Sequence, residues 1–158
     1  MAEEGSGRGP PVSAADAAYT AGLLDGEGHI GIREWEGTCG SNYGLGVFIY
    51  NTDLPIMVWL QTVFGGRFSQ RTRRDDRTGR QYRVNYHWYL YGQPAADFLR
   101  LVAPFAKIKR RHIEAALTYQ EMWSYGPHGA VPKAEAQREI GEEYRALLSR
   151  LNQGKEGG

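Results

Sequence analysis

Residues 20–28, Thr-Ala-Gly-Leu-Leu-Asp-Gly-Glu-Gly, set two carboxylates, Asp25 and Glu27, at the end of a run of small and apolar side chains. Hard divalent cations such as Mg²⁺ are held by one or two carboxylates and several waters. Two such ends meeting across a twofold axis would therefore make a plausible metal site. Read alone, Asp-Gly-Glu-Gly is also the composition of a tight turn joining a helix to a strand. A calcium loop fits poorly, because its first ligand position would fall on Leu23, which has no ligating atom, and no helix follows. Other chemistries find little support. No Ser-His-Asp or Cys-His arrangement stands out, His29, His87, His112 and His128 lie at no metal-ligand spacing, and the single cysteine, Cys39, has no CxxC partner for zinc.

The chain has 158 residues, one domain's worth, with 41% hydrophobic and 23% charged residues, a soluble globular profile. One cysteine excludes an intramolecular disulfide framework. No apolar run is long enough to span a membrane, and the N-terminal residues do not resemble a signal peptide. The formal net charge of +1 hides an uneven distribution: residues 1–36 carry −5, residues 37–111 carry +8 and residues 112–158 carry −2. The twelve basic residues of the middle segment run from Arg67 to Arg111. Such a concentration suits either a face turned towards a polyanion or a solvated arginine-rich surface.

The elements that must position these groups follow from periodicity. Residues 1–12 read as a disordered tail. Ser13 with Asp16 resembles a capping box for a helix over 14–25 that Gly26 and Gly28 end. Alternation predicts a strand over 29–35, a turn over 37–42 and a second strand over 43–50. Asp53 and Pro55 open a helix to Phe64, with Ile56, Leu60 and Val63 on its inner face. Strands over 67–71 and 82–90 follow, then helices over 94–102, 109–125 and, after Pro132, a last amphipathic helix. The order α-ββ-α-ββ-α with extra C-terminal helices predicts an α+β fold. A four-stranded antiparallel sheet carries helices on one face and polar or aromatic residues on the other. Residues 13–125 form the core and 130–152 a C-terminal extension.

Residues 20–28 resemble the LAGLIDADG motif, with Thr20 for the first leucine and Glu27 for the second aspartate. Asn51-Thr-Asp53 after the second strand, Phe64-Gly-Gly-Arg67 before the third and Pro104-Phe-Ala-Lys-Ile-Lys109 before a helix agree with it in order and spacing. The resemblance covers residues 14–123. One motif copy points to the homodimeric branch of the LAGLIDADG homing endonucleases. It implies a saddle-shaped sheet in the DNA major groove, motif helices as the dimer interface (Ala18, Ala21, Gly22, Asp25), and Mg²⁺-dependent hydrolysis of both strands leaving short 3′ overhangs. Mn²⁺ or Ca²⁺ would substitute for binding. It implies Glu27 as the metal ligand with Gly26 and Asp25 beside it, Asn51 near the metal-bound waters and Lys109 beside the scissile phosphate. Phosphodiester hydrolysis needs charge neutralisation, an activated water and a stabilised leaving oxygen, which a metal ion can supply with few side chains, so Glu27, Asn51 and Lys109 would suffice. An RNA-binding intron maturase, or a catalytically silent DNA-binding protein, remains open on the same scaffold. The protein would work inside a cell wherever its host intron DNA resides, in a compartment the residues do not name.

Strand alternation then assigns the DNA face. Ile30 and Ile32 point inwards, so His29, Arg33 and Trp35 point out. Arg67, Ser69 and Arg71 share one face of the third strand, and Arg83, Asn85, His87 and Tyr89 one face of the fourth. Arginine on guanine and asparagine on adenine are the expected base contacts. Arg73, Arg74, Arg77 and Arg80 in the loop, with Lys107, Arg110 and Arg111, are assigned to phosphates.

Overall fold

The computed structural model describes residues 11–38, 40–72, 77–80, 83–124 and 134–154. The elements are α1 (Ala14–Glu27), β1 (Gly28–Gly37), β2 (Gly40–Asn51), α2 (Leu54–Phe64), β3 (Arg67–Arg71), β4 (Asn85–Tyr91), α3 (Gly92–Val102), α4 (Arg110–Ser124) and α5 (Ala134–Asn152). The expected α+β architecture is the one observed. The disordered-tail expectation falls largely on residues outside those described, as do Cys39, Arg73, Arg74 and residues 130–133.

The four strands form one antiparallel sheet in the order β1-β2-β4-β3. Two hairpins meet at its centre, where β2 pairs with β4. The helix α2 carries the chain from the central β2 out to the edge strand β3, and β4 returns between them. One face of the sheet is buried. Ile30, Ile32, Leu45, Val47, Ile49, Trp88 and Leu90 share a single core with residues of every helix, including Leu24, Leu60, Leu99, Ile113 and Leu148. The Trp88 indole is wholly buried and donates to the Gly65 carbonyl at 2.8 Å, so its one polar atom is satisfied.

Three local features differ from the sequence expectation. Gly26 does not end α1: the helix continues to Glu27, and Gly28 is the cap, its N–H donating to the Leu24 carbonyl. A Cβ at Gly28 would meet that carbonyl oxygen at 2.5 Å, so only glycine lets the chain pass from helix to strand without a loop. In α2 Met57 joins Leu60 as a fully buried position, with Ile56 partly buried against the same core, and Phe64 packs against Trp88 and Phe98. Finally, β4 begins at Asn85, so Arg83 lies before the strand and not on its outward face.

The C-terminal helix α5 belongs to the core. It lies on the inner face of the β1–β2 hairpin: Leu148 is buried, Arg145 forms an ion pair with Glu34, and the Asn152 amide donates to the Ile30 carbonyl at 3.0 Å. The Tyr43 hydroxyl lies 3.3 Å from both Glu34 and Glu142, and Gly141 leaves room for the Tyr43 ring.

A candidate nuclease centre and nucleic-acid face

The foot of α1 brings together Asp25, Glu27 and Lys109. The helix has 3.6 residues per turn, so Asp25 and Glu27 project about 200° apart around its axis. Asp25 turns into its own chain. Its carboxylate accepts from the backbone N–H groups of Lys107 at 2.7 Å, Ile108 at 3.1 Å and Lys109 at 2.9 Å. These donors lead into α4, whose first N–H groups have no partner within the helix. Asp25 thus acts as a cap supplied from a distant helix. Burial pushes its carboxyl up, but the three N–H groups and the nearby Lys109 ammonium outweigh it and hold the group below the ordinary carboxylate value.

That docking also fixes Lys109. Its ammonium donates to the Asp25 carbonyl at 3.2 Å. It therefore sits at the C-terminal end of α1, where unpaired carbonyls attract a cation and where α1 has no basic residue of its own. Glu27 is exposed at the same helix end. Asn51 closes β2; its side-chain oxygen accepts from the Asp53 N–H at 3.0 Å, while Asp53 accepts from Ile56 and caps α2. Among the described residues, no three His, Cys, Asp or Glu side chains cluster as a metal site. With Asp25 committed to backbone, one chain offers a hard cation the Glu27 carboxylate and last-turn carbonyls such as that of Gly26, which the helix leaves without a partner. This donor set is of the right chemistry but holds a single carboxylate.

The residues expected at a dimer interface divide between two environments. Ala18 and Gly22 are exposed, and with Gly26 they form a stripe at four-residue steps along α1. A Cβ at Gly22 or Gly26 would meet nothing within 4 Å. Ala21 is wholly buried in its own chain, and the Asp25 carboxylate is taken by Lys107–Lys109.

Apart from Arg83, the outer sheet face carries the strand residues expected there. Cross-strand pairs place His29 opposite Phe48, Phe48 opposite Tyr89 and Tyr89 opposite Arg67, a single row across all four strands. The next row is Tyr50, His87 and Ser69, and Arg71 lies opposite Asn85. Ser69 contacts the His87 ring at 3.1 Å. Trp35 and Arg33 stand at the hairpin end, Trp35 over Gly44 and the Arg33 guanidinium 4.4 Å from the Phe48 ring centre. The unusual glycines of β2 are thereby explained: a Cβ at Gly44 would strike Trp35 at 2.8 Å, and one at Gly46 would strike Phe48 at 2.8 Å. Burial lowers the pKa of both outer-face histidines; Arg33, Lys109 and His112 add to this at His29, and Arg71 and Arg33 at His87. Both therefore favour the neutral imidazole.

Arg77 and Arg80 are exposed in the β3–β4 connection, where the Arg80 N–H turns back to the Thr78 hydroxyl at 3.4 Å. Lys107 and Arg111 are exposed near the foot of α1, whereas the Arg110 side chain folds back onto the Ala106 carbonyl at 3.0 Å. The sequence assignment placed Tyr89 on this face but omitted the other aromatic side chains of its centre, Phe48, Tyr50 and Tyr91. Their signal was the i, i+2 aromatic spacing in β2 and β4, masked in β2 by the glycines before it.

No family model and no curated protein matches the sequence. Solved structures do match the fold. The homing endonuclease I-CvuI in complex with its target is 15% identical over 92% of this chain and 85% of its own, with a TM-score of 0.63. The archaeal intron-encoded homing endonuclease I-Vdi141I complexed with DNA is 14% identical over 90% and 98%, with a TM-score of 0.60. The LAGLIDADG homing endonuclease I-SmaMI bound to cleaved DNA is 16% identical over 92% of this chain but only 48% of its own, with a TM-score of 0.61. The chain thus has the LAGLIDADG homing endonuclease fold.

Proposed function

We propose that this chain is a site-specific double-strand DNA endonuclease of the homing type, acting as a homodimer. The observation that carries the reading is the foot of α1. One acid of the motif locks the 107–109 segment in place, the other is presented outward, and the locked segment brings a lysine to the same helix end. The bare sheet face, with Arg33, Arg67 and Arg71 at its flanks, supplies a surface able to meet phosphates and base edges. The fold shared with DNA-bound homing endonucleases supports it.

The single carboxylate at Glu27 supports a dimer. A second copy related by a twofold axis along the Ala18–Gly22–Gly26 stripe would bring a second Glu27 to the first. The match to about half of I-SmaMI agrees with two copies forming one working unit. A divalent ion such as Mg²⁺ bound there would neutralise the phosphate and activate water. Glu27 would hold that ion with Gly26 beside it, Asn51 would offer an amide to orient water, and the Lys109 ammonium would add positive charge near the cut phosphate. Asp25 acts by positioning.

The test is incubation of the protein with a plasmid carrying its uninterrupted insertion sequence, in Mg²⁺ or in EDTA. Linear product in Mg²⁺ alone is expected, from a protein whose light scattering gives twice the chain mass. Gly22→Leu should separate the motif helices and abolish cutting. A folded monomer that cuts fully, or a bound plasmid never cut, would contradict the proposal.

A further inference from the structure

The outer face of the sheet has a composition of its own. Its arginines stand at the flanks, Arg33 on β1 and Arg67 and Arg71 on the edge strand β3. Its centre is His29, Phe48, Tyr50, His87, Tyr89 and Tyr91. These rings form a continuous layer. Phe48 and Tyr50 are near-parallel at 6.5 Å, Tyr50 and His87 are 6.1 Å apart, His87 and Tyr89 are stacked at 5.4 Å, and Tyr91 stands edge-on to Phe48 at 5.7 Å. Phe48 is only 2% exposed, the floor of the layer, whereas Tyr91 is 50% exposed.

Two consequences follow. Two of these pairs are near-parallel and the others tilted or edge-on, so the rings lean on one another and offer outward C–H edges and hydroxyls. A single-stranded base that needs an open ring face to stack on finds little here. A base edge in a duplex groove meets ring edges, whose C–H groups are apolar and whose hydroxyls are polar. The bidentate readers of guanine and adenine are Arg, Lys, Asn and Gln; Arg33 reaches over the Phe48 ring from β1, but the outward rings of β2 and β4 at Tyr50, His87, Tyr89 and Tyr91 carry none of them. The major-groove feature that an apolar surface can distinguish is the C5-methyl group of thymine.

We propose that this aromatic centre reads pyrimidine C5-methyl groups, so that the base pairs facing it are selected as thymine, with 5-methylcytosine as the other acceptable base. The proposal rests on the DNA-binding reading above and assigns the inner positions of each half-site to methyl recognition and the flanking positions to the arginines.

The experiment selects bound duplexes from a randomised library in EDTA, then remakes the bound site with single thymines replaced by deoxyuridine, which removes only the methyl group. At inner positions each replacement should weaken binding by roughly three- to fivefold, the worth of one buried methyl, and 5-methylcytosine should bind better than cytosine there. Tyr91→Ser should erase the thymine–uracil difference. Because Tyr91 is half exposed, a melting curve should show the variant folded; if it does not, the deoxyuridine series on the parent protein decides alone. Equal binding of thymine and uracil at every position, or tighter binding of single strands than of duplex, would overturn the proposal. Failure of the DNA reading itself looks different: no complex then forms with unmodified duplex at all.

Discussion

The two faces of the sheet are built from the same strands by the same alternation, yet they differ in what holds them. The inner face is apolar and covered by helices, and α5 completes it over the β1–β2 hairpin through Leu148, the Arg145–Glu34 pair and the Asn152 contact to Ile30. Among the described residues no helix covers the outer face; its side chains support one another through ring contacts and the Arg33–Phe48 pair. Substitutions on the first should therefore act on stability, and on the second on recognition. The foot of α1 lies between these cases, since Asp25 is structural and Glu27, two residues later, is free to act.

The sharpest way to break that comparison is Leu148→Ala. If α5 is core, removing this buried side chain should cost about 2–5 kcal/mol, read from denaturant unfolding. A cost within about 0.5 kcal/mol, the surface norm, would make α5 an appendage. Next comes Asp25→Asn, which loses charge-assisted acceptors for three N–H groups and should cost about 2–3 kcal/mol at neutral pH. The folded pKa lies below the ordinary 3.8, so the carboxylate's contribution is complete above that value and is lost as pH falls through the folded pKa. The stability gap between parent and variant should close in acid; a gap constant with pH would mean the charge is not what docks Lys107–Lys109. On the outer face, Arg71→Ala should leave stability within about 0.5 kcal/mol and cost about 1–3 kcal/mol against the preferred base in competition binding. The smallest effect is expected at Arg77: its alanine variant should weaken all sequences alike and reduce the log-affinity against log-salt slope by about 1 per subunit.

The inner face was legible in the sequence because period-two alternation and helix caps are local signals. Ser13, Asp53 and the strand Arg67–Arg71 fall where local rules put them. The outward register of His29, Arg33, Ser69 and His87 followed from the same alternation. What was not legible depends on distance in the chain. The three N–H groups that bind Asp25 lie more than eighty residues away, and nothing in Asp-Gly-Glu-Gly distinguishes an acid that caps a remote helix from one left exposed. Gly26 reads as a helix stop, yet α1 runs one residue beyond it, to Glu27. The place of α5 on the β1–β2 hairpin was unreadable for the same reason, because its amphipathic face fits any apolar surface.

The central claim is that Asp25 positions and Glu27 acts. The measurement that tests it most directly compares Glu27→Gln with the parent protein on one bound DNA site, recording affinity in EDTA and the single-turnover cutting rate in Mg²⁺. The account predicts affinity largely unchanged, because binding comes from the sheet face, and a cutting rate reduced by more than about a hundredfold, since losing a ligand to the catalytic metal removes several kcal/mol of transition-state stabilisation. Cutting within about tenfold of the parent, a loss of only about 1.4 kcal/mol, would contradict it.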